Sequence, residues 1–119
     1  MKIGFIGLGN VGSKLAHSLL RNNFDLTVRD LDLNLTKSFQ NKGAKIAKTS
    51  KELTERVDLI ITCLPSPKIS SEVMEGEDGI IQGLSKNKIW LEMSTTDESE
   101  LKRLEKKVID RNAIPLEGP

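Results

Sequence analysis

Three glycines and one acid carry the chemistry this sequence offers. Gly7, Gly9 and Gly12 fall in a G-x-G-x-x-G spacing, and Asp30 follows Gly12 by 18 residues. Where a strand turns into a helix, each glycine has a separate task. Gly7 permits the tight turn, Gly9 lets backbone approach a pyrophosphate, and Gly12 lets the helix pack close to the strand. A side chain at Gly9 would take the phosphate's place. The first free N–H groups of the helix and its positive dipole end hold such an anion without a basic residue. Asp30 stands near the distance at which a carboxylate accepts the ribose hydroxyls of NAD.

The spacing alone is weak, because nine glycines in 119 residues can produce it by chance or as an ordinary turn. The surrounding elements decide. A short apolar run ends at Gly7, and a helical pattern opens at about Asn10, with Val11, Leu15, Ala16, Leu19 and Leu20 predicted on one face. A second apolar run, Leu26-Thr27-Val28, leads to Asp30. Strand, glycine turn, helix, strand and acid together are the context that a dinucleotide site requires.

The remaining chain repeats the alternation. A helix is predicted from Leu33 to Lys42, with Leu35 and Phe39 inward and Gly43 as its stop. Lys45-Ile46-Ala47 is a short third strand. Thr49-Ser50-Lys51-Glu52 has capping-box spacing, with Thr49 as cap and Glu52 reaching back. Asp58 to Leu64 alternates little, as a parallel strand covered on both faces does, so it belongs in the middle of the sheet. Pro65-Ser66-Pro67 ends it. Ile89 to Met93 is a fifth strand, and Ser94-Thr95-Thr96-Asp97 is a cluster of candidate caps before a helix marked by Leu101, Leu104 and Val108. Ala113 to Leu116 is a sixth strand whose proline assigns it to an edge. The pattern predicts one Rossmann-type α/β domain over residues 1–119, a doubly wound parallel sheet in the order 3-2-1-4-5-6. Its ligand site would lie at the carboxyl ends of strands 1 and 4, where the glycine turn, Leu64-Pro65-Ser66 and Ser94-Thr95 converge.

Composition excludes other classes. Eighteen basic and seventeen acidic residues leave a formal charge of +1, and the two signs are interspersed, which argues against nucleic acid as a partner. The apolar runs are far short of the ~20 residues that cross a bilayer, and the start lacks the pattern of a secretory signal, so a cytoplasmic location without membrane attachment is expected. The single cysteine, Cys63, is expected as a small buried thiol in the central strand. His17 is expected at the surface, with no carboxylate or metal-ligand spacing near it in sequence.

These residues together resemble the β-hydroxyacid dehydrogenase family, its 3-hydroxyisobutyrate dehydrogenase branch most closely. Gly4-Phe5-Ile6-Gly7-Leu8-Gly9-Asn10-Val11-Gly12 is similar to the family's opening signature, with Val11 where Met is usual. Cys63-Leu64-Pro65 resembles its Leu-Pro cofactor loop, Glu92-Met93-Ser94-Thr95 its Asp-x-Ser-Thr, and Glu117-Gly118-Pro119 the start of its Asp-Ala-Pro-Val-Ser-Gly-Gly. The resemblance implies that Leu64, Pro65 and Thr95 contact the cofactor, besides Gly7, Leu8, Gly9, Asn10, Val11, Gly12 and Asp30. Ile69 stands where relatives often have a polar cofactor contact, and Glu98 where proline is common. The family continues into a substrate loop, a linking helix and a helical domain carrying the catalytic lysine, all beyond Pro119. The resemblance therefore implies the NAD domain of a longer, homo-oligomeric oxidoreductase that interconverts a 3-hydroxy acid and its semialdehyde. No catalytic residue and no metal ligand is assigned within the chain. NADP is disfavoured by Asp30. The alternatives are the cofactor domain of a glyoxylate or tartronate semialdehyde reductase, that of 6-phosphogluconate dehydrogenase, and a non-catalytic module that senses NAD.

Overall fold

In the computed structural model, which describes residues 1–94 and 97–117, strands are joined by helices throughout, with two helices in succession between the fourth and fifth strands. The elements are β1 (Lys2–Ile6), α1 (Asn10–Arg21), β2 (Asp25–Arg29), α2 (Leu33–Asn41), β3 (Lys45–Ile46), α3 (Ser50–Arg56) and β4 (Leu59–Thr62). They continue with α4 (Pro67–Glu75), α5 (Ile80–Gly83), β5 (Ile89–Glu92), α6 (Glu98–Ile109) and β6 (Ile114–Glu117). The six strands form one sheet in the order β3-β2-β1-β4-β5-β6, with every pairing parallel. The sheet thus has the predicted order, and β6 with its Pro115 lies at an edge.

The sheet separates two cores, and the period of two along each strand assigns side chains to them. Ile3 and Phe5 of β1, Leu26 and Val28 of β2 and Ile61 of β4 pack with Ala16 of α1 and Phe39 of α2. Ile6, Ile60 and Trp90 face the other way, against Leu53, Met74, Ile80, Leu104 and Val108 of α3 to α6. Trp90, Phe5 and Ile60 are wholly buried. Burial of this kind stabilises by roughly 25 cal/mol per Å² of apolar surface removed from water. It fixes the carboxyl ends of β1 and β4 side by side.

The inner face of α1 differs from the sequence reading. Gly12 and Ala16 are buried and Leu19 and Leu20 pack against the core, but Val11 and Leu15 are exposed. Val11 lines the open cleft instead of packing on the sheet. The capping box at α3 is half formed: Glu52 N–H donates to Thr49 Oγ1 at 3.0 Å, while the Glu52 carboxylate turns forward to Arg56 at 2.6 Å. An arginine one turn on offers it an opposite charge, which a backbone N–H does not.

Candidate cofactor site

The turn between β1 and α1 has the geometry that its three glycines imply. Gly7 has φ +100°, a region that side chains disfavour, and a Cβ there would lie 2.1 Å from the Cys63 carbonyl oxygen. A Cβ on Gly12 would lie 2.1 Å from the Gly7 carbonyl oxygen, so this residue sets how closely helix and strand approach. Gly9 is the opposite case: beyond its own chain neighbours, no protein atom lies within 4 Å of the position its Cβ would take. Nothing in the fold excludes a side chain at Gly9. The space beside it is open cleft.

That cleft holds about 850 Å³, toward the upper end of the ~300–1,000 Å³ usual for small-molecule sites. It runs along the carboxyl ends of β1, β2 and β4. Gly7, Gly9, Asn10, Val11, Gly12, Asp30, Leu64 and Pro65, all singled out from the sequence, line it together. Leu8 does not: its side chain is 1% exposed and packs in the core with Phe5 and Ala16. Only its backbone serves the site. Thr95 lies outside the described residues, as do Gly118 and Pro119.

The amino end of α1 is left electrostatically open. Gly9 occupies the cap position without a side-chain hydrogen bond, and the first turn contains no acid. Among the described helices longer than a single turn, the others are all capped: α2 by Asp32, α3 by Thr49, α4 by Ser66 and α6 by Asp97. Unsatisfied N–H groups at an open cleft suit a diphosphate, since they supply donors and partial positive charge together.

Asp30 lies at the tip of β2. Its Oδ2 accepts the Leu8 N–H at 2.7 Å and its Oδ1 accepts the Asp32 N–H at 2.8 Å. An ionised carboxylate has about four acceptor positions, so roughly two remain for a ribose diol. The same bonds tie the acid to the glycine turn, so the diphosphate cradle and the ribose acceptor are fixed relative to each other. Of the described residues lining the cleft, Asp30, Asp32, Glu72 and Asp78 are acidic and Arg29 alone is basic. Arg29 reaches the cleft wall, but its guanidinium donates to the Lys48 carbonyl.

Cys63 corrects the sequence reading. It lies one residue past β4, half-buried on the cleft wall, where it was expected sealed within the strand. Burial and then the neighbouring Glu92 carboxylate push its thiol above the usual range, and a hydrogen bond from the Gly12 N–H opposes them. That keeps it protonated and a poor nucleophile. His17 is half-buried and stacks on Phe39 with ring centroids 4.2 Å apart, with Nε2 3.0 Å from Lys42 Nζ. It lies off the cleft wall. No group of three potential metal ligands occurs among the described residues, and no helix among them is long and apolar enough to cross a membrane.

The structure adds Asp32, Leu31 and Val73 to the cleft, and places Ile69 on its wall. Asp32 had a signal in the sequence, as an acid just before a helical pattern. Leu31 and Val73 had none, because their place depends on how α2 and α4 flank the cleft.

Comparison with known proteins agrees with this geometry. The sequence profile of the NAD-binding domain of 6-phosphogluconate dehydrogenase matches residues 2–119. The mitochondrial 3-hydroxyisobutyrate dehydrogenase of Rattus norvegicus is 35% identical over 117 residues, covering 98% of this chain and 35% of the rat protein. The cytokine-like nuclear factor N-PAC of Homo sapiens is 30% identical over 118 residues, or 99% of this chain and 21% of that protein. The chain thus spans about a third or less of these relatives. Among solved structures, Mycobacterium tuberculosis 3-hydroxyisobutyrate dehydrogenase with L-serine has a TM-score of 0.89 at 17% identity, covering 99% of this chain and 40% of that one. The imine reductase of Myxococcus stipitatus with NADP+ has a TM-score of 0.88 at 18% identity, covering 98% and 40%. The glycine turn, the open end of α1 and the match from residue 2 to residue 119 establish that the chain belongs to the family of NAD-binding domains of the 6-phosphogluconate dehydrogenase type.

Proposed function

We propose that this domain binds NAD in preference to NADP and serves an oxidoreductase that interconverts a 3-hydroxy acid, of the 3-hydroxyisobutyrate type, and its semialdehyde. The observation that carries the cofactor preference is Asp30, held by Leu8 N–H and Asp32 N–H on a cleft wall whose other charged residues are Asp32, Glu72, Asp78 and a committed Arg29. A 2′-phosphate about 4 Å from one carboxylate costs on the order of 4 kcal/mol at an effective dielectric of 20, before salt screening. The substrate class is supported by the identity with 3-hydroxyisobutyrate dehydrogenases and by the landmarks around Gly7, Leu64 and Ser94. In this reading Gly9, Asn10 and the α1 amino end hold the diphosphate, Asp30 the adenosine ribose, and Leu64, Pro65 and Thr95 further parts of the cofactor. The bound dinucleotide supplies the hydride chemistry, while the domain supplies orientation.

The test is calorimetric titration of the protein with NADH and NADPH, followed by assay with NAD and 3-hydroxyisobutyrate. NADH is expected to bind at least tenfold tighter than NADPH, consistent with a like-charge penalty reduced by screening. Turnover by residues 1–119 alone is expected to be absent. Hydride transfer needs a substrate about 3 to 3.5 Å from the nicotinamide and a proton acceptor beside it, and no residue of the cleft is assigned either task. Tighter NADPH binding would overturn the preference; turnover comparable to a longer parent chain would place the catalytic groups within these residues.

A second reading, a domain that binds cofactor without turnover, is favoured by the 30% identity with N-PAC, a protein named as a nuclear factor. Cofactor binding without turnover in the complete parent protein would support it.

A further inference from the structure

Behind the cleft, the carboxyl ends of β4 and β5 are joined by a buried chain of hydrogen bonds centred on Glu92. Thr62 and Glu92 stand opposite each other in register, and both are buried, at 0% and 4% exposure. The indole Nε1–H of Trp90 donates to Thr62 Oγ1 at 3.0 Å, and the Thr62 hydroxyl donates to Glu92 Oε2 at 2.7 Å. On the other side the Ser94 N–H and hydroxyl both donate to Glu92 Oε1, at 2.8 and 2.7 Å. The Leu64 N–H in turn donates to Ser94 Oγ at 2.7 Å.

The direction of every bond follows from the centre. An ionised carboxylate only accepts, so both hydroxyls must spend their one proton on it. Each hydroxyl oxygen then presents lone pairs outward. One set receives the indole and the other receives the Leu64 amide, which lies past the end of β4 where no ladder partner supports it. In the reverse arrangement, with a hydroxyl proton aimed at Leu64, two donors would meet. A charge buried so deeply is costly unless fully hydrogen-bonded, and this one is supplied with donors at both oxygens.

We propose that Glu92 is a positioning residue for the cofactor: by fixing the rotamer of the Ser94 hydroxyl it holds the Leu64 amide, and with it the Leu64–Pro65 wall of the cleft. The inference rests on the reading that this wall contacts the dinucleotide. Two consequences separate it from a merely structural role. The Ser94 arm of the network governs the cleft, whereas the Thr62 arm ties Trp90 into the core and leaves the wall alone. Removing either hydroxyl loosens the fold, but only loss of Ser94 reaches the cofactor.

The experiment compares Ser94→Ala, Ser94→Thr and Thr62→Val with the wild-type protein, reading NADH affinity by calorimetry and exchange of the Leu64 amide by NMR. Ser94→Ala leaves a buried N–H without its acceptor, and roughly tenfold weaker NADH binding is expected together with faster Leu64 exchange. Ser94→Thr, which keeps the hydroxyl, should restore both. Thr62→Val should lower the melting temperature while NADH affinity stays within about twofold of wild type, a change too small for a lost cofactor contact. Should Thr62→Val not fold, the Ser94 pair still decides the matter. Equal NADH affinity of Ser94→Ala and wild type would overturn the inference and leave the cofactor reading intact. No binding of NADH or NADPH by wild type would overturn both.

Discussion

Helices α1 and α6 are the same length, 12 residues each, and both are amphipathic, yet their amino ends are built in opposite ways. α6 answers its own dipole: Asp97 accepts the Glu100 N–H at 3.1 Å, and Glu98 and Glu100 add negative charge in the first turn. α1 has glycine at the cap, no acid in the first turn and an open cleft in front. Isolated, α1 is the poorer design by the energetic standard of capping, which is worth about 1 kcal/mol. The comparison teaches where this protein has left stability unclaimed. Of the donors at this end of α1, the Gly12 N–H turns to the Cys63 thiol while those of Asn10 and Val11 are left free, and the residue that leaves them free is Gly9.

Giving α1 the cap that α6 has is therefore the strongest way to break the contrast. Gly9 has φ −67°, which any residue adopts, and a Cβ there meets no protein atom within 4 Å beyond its own chain neighbours. Gly9→Asp is expected to leave the melting temperature equal or higher, because the carboxylate accepts the free N–H groups. The same carboxylate places negative charge where the diphosphate must sit, so nucleotide affinity should fall by more than about a hundredfold, the product of lost donors and added repulsion. Gly9→Val blocks the site by bulk alone and should also abolish binding with the fold intact by circular dichroism. NADH binding equal to wild type in either variant would show that the open end of α1 is not the diphosphate site.

The second largest effect concerns the acid opposite α1. Asp30→Asn keeps the acceptor for one of the two N–H bonds at 2.7 and 2.8 Å but removes the charge. NADPH affinity should rise by roughly tenfold and NADH affinity fall by several-fold, so that the preference collapses. Parallel titrations with both nucleotides at two salt concentrations check this. The NADPH gain should shrink at high salt, where the wild-type repulsion is already screened. An unchanged ratio would assign selectivity to Asp32, Glu72 or Asp78.

How much of this contrast could be read from residues alone depends on the range of the interactions. The glycine turn, Asp30 and the sheet order were legible because each is written in a contiguous stretch: a spacing, an apolar run, a cap. The Asp97 cap was legible within a cluster of four candidates, and the structure selected it. The Glu92 network was not, because it joins Thr62, Leu64 and Ser94 across 30 positions and exists only once β4 and β5 are in register. Cys63 was misread for a related reason. An apolar run marks a buried strand but not the residue at which it emerges, and β4 ends at Thr62. Val11 and Leu15 satisfied helical periodicity yet face outward, since periodicity identifies a face and not whether the sheet extends beneath all of it.

The smallest effect expected is also the one that distinguishes the two helices without touching the site. α6 is held to α4 by Glu75, whose carboxylate pairs with Arg103 at 2.5 Å and with Lys107. Those bonds, together with one from Ser71, hold the Glu75 carboxyl far below the 4.5 at which it ordinarily titrates. Asp97 is lowered by the Glu100 and Ser99 donors, and Glu100 by Arg103. For a carboxyl whose folded value is depressed, the unfolded chain binds the proton first. Stability is then complete above the ordinary value and is lost as pH falls through the window between the unfolded and folded values. Asp97 is exposed and Glu75 and Glu100 are half-buried at the surface, where solvent screens them, so each contributes little. Their common sign still makes a directional statement: from pH 5 to pH 3 the melting temperature should decline, and the decline should be shallower in Glu75→Gln, which cannot gain that proton. Amides of α6 should lose exchange protection before those of α1, whose first turn contains no carboxylate to protonate. Earlier loss in α1 would mean that its open amino end, and not the acid-sensitive pairing of α6, is the weaker of the two.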